Sequence, residues 1–428
     1  MKTLHVVLLC GLLAVPLWAQ TSTLDGYVTR AASNSNFDVN GVRVLCGAVT
    51  RRGLESAPKT PAQQECLPDR PFVGERMQVA GLYQSGGAAM EATSIHLESV
   101  KPGEISGVAL IDFVFPQDFA AIHTPSLLVR ADGYRILLNG KTDVVWTAPL
   151  RSVADVKTGN WIEYKGQLDA SGQLVATSAK LSPDVVSKRE QDLRAKTDFA
   201  QFGGLAQPTR KTRMADAAGG RKPPPSWNDA AMQARINEIG NKLVPAYQLA
   251  LPDTNPAKIR FRFVLVDRKN WRDAMTLPSG IIFVPRQVVE RMQNDSQLAT
   301  VLADNIACAL EKQTYRILPT SDTVTASEVG LYTGGLFVPG LGLAGPTLGI
   351  STDETIRIRA EEQSGRVSLG LLHDAGYDID QAPIAWWLLA SDQPRPISQI
   401  LLPRRAAYLY RVLGETWHNP AANVSQAH

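Results

Sequence analysis

Apolar and polar residues change rhythm along this chain, and the rhythm divides it. From Asp25 to about Val186 the apolar positions recur mostly every second residue, in short runs broken by Gly, Asn and Asp. That is the pattern of strands with one buried face. "GYVTRAASNSNFDVNGVRVLCG" reads as a hairpin with Asn40-Gly41 at its turn. Beyond Trp227 the spacing lengthens. "NDAAMQARINEIGNKLV" puts Met232, Ile236, Ile239 and Leu243 on one helical face, with Asn228 or Asp229 as N-cap. "KIRFRFVLV" alternates Ile259, Phe261, Phe263 and Leu265 as a strand, and "GIIFV" (Gly280 to Val284) is a second one. "SQLATVLADNIACALEKQ" lines up Leu298, Val301, Leu302, Ile306 and Leu310, with Asp295 or Ser296 as cap.

The β-patterned half repeats itself. "VGERMQVAGLYQSGGAAMEATSIHLES" (Val73 to Ser99) is similar to "TGNWIEYKGQLDASGQLVATSAKLS" (Thr158 to Ser182). Gly74 and Gly81 stand seven positions apart, as do Gly159 and Gly166. Each copy runs on through a Gly turn into Ala92-Thr93 or Ala176-Thr177. "SGVALIDF" from Ser106 opens the second copy. The pattern predicts tandem small barrels, whose closure leaves no exposed strand edge. It resembles secreted bacterial OB-like domains of unknown function.

The expected organisation is therefore multidomain: a signal peptide over 1–19, β-barrel-like repeats over 20–103 and 104–186, a linker over 187–225, and an α+β, mostly helical, domain over 226–428. The linker assignment rests on nine Lys or Arg against four Asp or Glu, a Gly-Gly, and Pro223-Pro224-Pro225. The signal assignment rests on Lys2, an uncharged stretch from Leu4 to Leu17, and Ala19 before the cut. Leu17 departs from the usual small residue, and a lipoprotein reading at Cys10 fits less well. Export to a bacterial periplasm or beyond predicts a disulfide between Cys46 and Cys66 and leaves Cys308 alone on its helix. A net charge of +3, with few aromatics, argues against a nucleic-acid partner.

The helical domain carries the candidate chemistry. "VLVDRKNWRDAMTLPSGIIFVPRQVVERMQNDSQLATVLADNIACAL" resembles the HtpX-like family of zinc metallopeptidases, in which strand, N-A-F-x-L-P-G-G, strand and helix lead into L-A-x-V-L-A-H-E-x-x-H. Asp273, Ala274, Met275, Thr276, Leu277, Pro278, Ser279 and Gly280 match the first block, with Asp for Asn, and would form a groove edge. Leu298 to Ala303 match the lead-in to the zinc helix. "RAEEQSGRVSLGLLHDAGYD" resembles the second block, E-x-E-A-D-x-x-G with A-G-Y-D beyond. There Glu361 falls on the third zinc ligand and Ala375-Gly376-Tyr377-Asp378 match.

The departures fall on the chemistry. Asp304 stands for the first ligand His, Asn305 for the catalytic Glu and Cys308 for the second ligand His. Gly365 stands for the second-block Asp, and Gln363 for its acidic neighbour. An amide cannot take a proton from metal-bound water. No pair of His is spaced to bind metal; the six are His5, His96, His123, His373, His418 and His428. His373 reads as a surface or packing residue.

The resemblance thus implies a secreted pseudopeptidase that has lost its zinc and uses the scaffold to bind a protein or peptide. The alternative is an active hydrolase rebuilt around Asp304, Cys308 and Glu361, with a metal or with Cys308 as nucleophile. A cysteine nucleophile wants a nearby base, and no His lies in this block. A third reading is contact with a membrane surface through Val329 to Thr352, which is uncharged. Its seven Gly and two Pro make it a poor spanning helix.

Overall fold

The computed structural model describes residues 22–46, 66–84, 87–97, 104–116, 126–198, 227–267, 271, 273–317, 352–390 and 401–418. The signal segment over 1–19 and the Gly-rich stretch up to residue 351 lie outside them.

The first β unit is a closed barrel. Its strands β1 (Ser22–Ser33), β2 (Asn36–Val39), β3 (Val42–Cys46), β4 (Arg76–Tyr83) and β5 (Ala89–Leu97) are joined in the order β1-β2-β3-β5-β4 and back to β1. Only β3 and β5 run parallel. The second unit repeats this with β6 (Ile105–Val114), β7 (Leu127–Ala131), β8 (Tyr134–Leu138), β10 (Trp161–Leu168) and β11 (Leu174–Ser182). It has one addition: β9 (Asp143–Trp146) runs beside β11 just beyond β8. Both are OB-like small barrels, each with its own apolar core.

The sequence repeat has a mechanical meaning. Gly74 and Gly159 share a φ of 94°, a conformation that favours glycine. Each donates its N–H to the barrel's first strand, to Val28 O and Ile111 O, at 2.8 Å in both cases. Gly81 and Gly166 sit opposite a β-bulge whose extra residue is Thr93 in one barrel and Thr177 in the other. A Cβ at Gly81 would stand 2.1 Å from Glu91 O, and one at Gly166 2.4 Å from Val175 O. The bulged threonines return hydroxyl bonds across the pair, to Ala80 O (3.0 Å) and Lys165 O (3.2 Å). The Asn40-Gly41 turn also has its counterpart in Asp132-Gly133, all four with positive φ. Cys46 and Cys66 are bridged across the first barrel, their Cα atoms 5.5 Å apart. The bridge is consistent with an oxidising compartment.

The stretch expected to be a linker begins as ordered structure. Lys188–Thr197 is a helix, α1, capped by the Ser187 hydroxyl on Glu190 N. It has little apolar content beyond buried Leu193. Ion pairs hold it instead: Glu190 binds Arg194 at 2.6 Å and Lys312 at 3.0 Å, and Lys312 also reaches Asp184. A hydrophobic pattern is blind to such a helix.

The remaining unit is α+β. Helix α2 (Ala230–Leu243) is capped by Asp229 and packs on a small sheet in which β12 (Arg262–Val266) lies parallel to β14 (Ile281–Pro285) and β13 (Met275–Thr276) antiparallel. The outer edge of β12 is closed by one side chain. Gln233 donates to Phe263 O (2.7 Å) and accepts from Leu265 N (3.1 Å), as a neighbouring strand would. Short helices α3 (Ala246–Ala250) and α4 (Arg286–Arg291) precede α5 (Asp295–Leu310), the buried axis of the unit. Its N-cap is Asn294, bonded to Gln297 N, rather than the expected Asp295 or Ser296. Both lie inside its first turn, where Asp295 faces the positive helix end. Helix α6 (Gln313–Ile317) leads away. Helices α7 (Thr352–Asp374), α8 (Gln381–Ala390) and α9 (Leu401–Val412) complete the bundle. Buried residues cover nearly all faces of α5, polar Thr300, Asp304 and Asn305 included.

Both barrels dock on this unit with the same strand. Tyr27 of β1 and its equivalent Leu110 of β6 enter the helical core. The Glu311 carboxylate accepts from Leu110 N, and Arg130 joins Asp112 of the second barrel to Asp374 of α7. Among the described residues no helix is long and apolar enough to cross a membrane.

The bulge geometry predicts that Gly81→Ala and Gly166→Ala each lower stability by ~1–3 kcal/mol, the usual range for overpacking. Gly414→Ala, whose Cβ would meet nothing within 4 Å, is the control. Urea unfolding decides: equal midpoints for all three variants would refute the shared bulge.

Candidate functional site

The polar positions of α5 need partners, because they are buried. Asp304, on the buried face toward α7, receives the Ser364 hydroxyl on Oδ1 at 3.0 Å. Its Oδ2 lies 2.6 Å from Nη2 of Arg405, which reaches in from α9. Asp273, just ahead of β13, accepts from Ala274 N on Oδ1 (2.7 Å) and from Arg405 Nη1 on Oδ2 (2.7 Å). Both carboxylates and the guanidinium are at least nine-tenths buried. The Trp386 indole of α8 closes the stack, its centroid 3.5 Å from Arg405 Cζ. One guanidinium therefore joins the β13 approach, α5, α8 and α9.

The energetics explain why these groups occur together. Leaving a buried carboxylate without its cation costs about 3–5 kcal/mol, a large share of a domain's net stability. A single cation between two carboxylates leaves the cluster acidic. The Asp273 carboxyl is accordingly pushed up to about 7, chiefly by burial; Arg405 opposes that and the Asp304 charge adds to it. Arg405 itself is held more firmly protonated by the Asp304, Asp273 and Glu361 charges, which outweigh its burial.

The other expected site residues have different fates. Asn305 turns back on its own helix, donating to Val301 O at 2.9 Å. Cys308 is partly buried, and its thiol is pushed up to about 12, by burial first and then by Asp304. It is a neutral thiol near pH 7, a poor nucleophile. Glu361 lines a small cleft of about 250 Å³, partly open solvent, together with Glu362, Trp386, Arg404, Arg405 and Tyr408. Gly365 faces α9: a Cβ there would come 3.2 Å from Leu409 Cδ2. Gln363 serves the second barrel, donating to Val108 O. The expected groove edge is closed: Asp273, Ala274, Met275, Thr276 and Leu277 are buried, Pro278 and Ser279 partly so. Gly280 adopts a φ of 89° at the turn. Ser279 is tied to Thr197 of α1 through both its N–H and its hydroxyl. His373 stacks on Trp417 near the surface.

Arg404 and Arg405 escaped the sequence reading, although one signal pointed to Arg405. Leu402, Arg405, Leu409 and Val412 fall at helical spacing, so the arginine occupies an apolar stripe. The adjacent Arg404 binds Glu362 at 2.5 Å and lies over the Tyr27 ring of the first barrel.

The zinc implied by the family resemblance does not fit these side chains. A cation already lies between Asp304 and Asp273. The carboxylate oxygens turned away from it accept hydrogen bonds from Ser364 and Ala274. Among the described residues no three His, Cys, Asp or Glu side chains are arranged to hold a metal. No known family model matches this chain, and no curated protein does.

The Asp273 shift has a sign. A free aspartate ionises near pH 4, whereas the folded one does so near 7. Between these values the native state binds more protons than the unfolded one. The contribution of this group to stability therefore falls as pH rises through that window. Asp273→Asn keeps the neutral form, so its stability relative to the wild type should rise from pH 4 to 7. Chemical denaturation at several pH values measures it; parallel curves would refute the shift.

Proposed function

We propose that this protein is a non-catalytic, exported relative of the zinc peptidases, a scaffold whose peptidase-like helical unit holds two OB-like barrels for binding a protein or peptide in the cell envelope. The observation that carries this reading is the Arg405 guanidinium on Asp304, the position of the first zinc ligand in the resemblance. An internal cation there competes with any metal. Asn305, at the position of the catalytic base, is an amide bonded to its own helix and cannot activate water. The departures also support one another. Asp273 in place of the family Asn supplies the second carboxylate for Arg405, and Gly365 in place of Asp makes room for the helix that carries it. The Cys46–Cys66 bridge is consistent with the export this reading requires.

A rebuilt hydrolase would need a thiolate or an assembled metal set. The neutral Cys308 thiol and the engaged Asp304 supply neither.

Elemental analysis of protein purified without chelator tests the reading, together with a general protease assay. Expected are far less than stoichiometric zinc and no cleavage. One zinc per chain, lost on Cys308→Ala, would overturn the proposal. Descent from a zinc scaffold has its own test. Asp304→His with Cys308→His should gain little zinc affinity while Arg405 remains, and much more once Arg405→Ala is added, since two imidazoles and Glu361 then form a three-ligand set. No gain in the triple variant would sink the family resemblance.

A further inference from the structure

The buried cluster is more specific than a charge balance requires. Two carboxylates on separate elements each present one oxygen, 2.6 and 2.7 Å from the two terminal nitrogens of one guanidinium. Their other oxygens are held by Ser364 Oγ and Ala274 N, which fixes how both acids point. The Trp386 indole lies against the flat side of the cation, 3.5 Å from centroid to Cζ. A planar fork with delocalised charge meets all three features at once. An ammonium ion cannot present two parallel donors while stacking on a ring. A zinc ion needs about four ligands, and each aspartate turns only one oxygen toward this position.

We propose that Asp273, Asp304 and the face of Trp386 form a guanidinium-binding pocket that Arg405 fills in cis, so that helix α9 is held in the way such a site would hold a ligand. The pocket is defined by its own groups and does not depend on the peptidase resemblance. It assigns α9 a particular anchor: Arg405 seats the helix in the core, and the adjacent Arg404 passes the placement on to Glu362 and Tyr27. Emptied of its side chain, the pocket becomes a receptor for a free guanidinium ion or an alkylguanidine.

The test is a thermal melt of full-length Arg405→Ala with guanidinium chloride in the low millimolar range, below denaturing concentrations. Sodium chloride at equal concentration and zinc chloride form the control arms. The variant should melt well below the wild type and recover saturably with guanidinium but not with sodium; the wild type should gain nothing. Equal melting of variant and wild type overturns the proposal, as does an equal response to guanidinium and sodium. Stabilisation by zinc without stabilisation by guanidinium also overturns it, in favour of a metal site. Should Arg405→Ala not fold, Arg405→Met is compared with Arg405→Met, Asp273→Asn, Asp304→Asn. The neutralised pocket needs no cation, so the triple variant should fold and outlast the single one. A triple variant no better than the single one refutes the pocket.

Discussion

The architecture turns on charges that are almost wholly buried. Burying Asp273 and Asp304 is unfavourable unless a cation comes with them. Arg405 is that cation, and it belongs to α9. Two carboxylates in the middle of the sequence therefore take their cation from 132 and 101 positions later. The apolar packing of α5 against α7 and α8 supplies most of the driving force. The ion cluster supplies direction, because both carboxylates meet the one guanidinium of α9. Trp386 narrows that seating further by covering the planar face of the cation.

Much of the molecule was legible in the sequence. The glycine spacing of the repeat maps onto matching bulges and first-strand contacts in both barrels, because a missing Cβ is a local requirement that leaves a local mark. Strands β12 and β14 and helices α2 and α5 were legible for a similar reason: each carries its period within one short window. The parts that escaped depend on distant partners. Helix α1 is stabilised by Lys312, more than a hundred residues away, and its own composition reads as solvated. The Asn294 cap was missed by a single position, within the uncertainty that helix ends always carry.

The site divides along the same line. Asp304, Asn305, Cys308, Glu361 and Gly365 were singled out through the motif that surrounds them. What Asp304 and Asp273 do was not found, because it depends on Arg405, which lies outside the motif. An arginine within an apolar helical stripe is a visible anomaly, but only its partners give it meaning. The closed state of the 273–280 segment was hidden too, since it depends on α1 and α9 rather than on the segment's own residues.

A short segment of α7, residues 361–366, carries a consequence beyond its own stability. Glu361 lines the cleft and Glu362 holds Tyr27 and Arg404. Gln363 reaches Val108, Ser364 holds Asp304, Gly365 admits Leu409, and Arg366 binds Asp132. Six successive residues thus address both barrels, the buried cluster and α9. A helix advances about 100° per residue, so a single insertion here would rotate every later member of the set away from its partner at once. Substitution is easier to accommodate in this segment than insertion, and so it is at the Asp132-Gly133 hairpin tip that packs against Arg366. The length of this segment is therefore a stricter signature of descent than any one of its side chains, and divergent relatives would be aligned more safely on its spacing than on its chemistry.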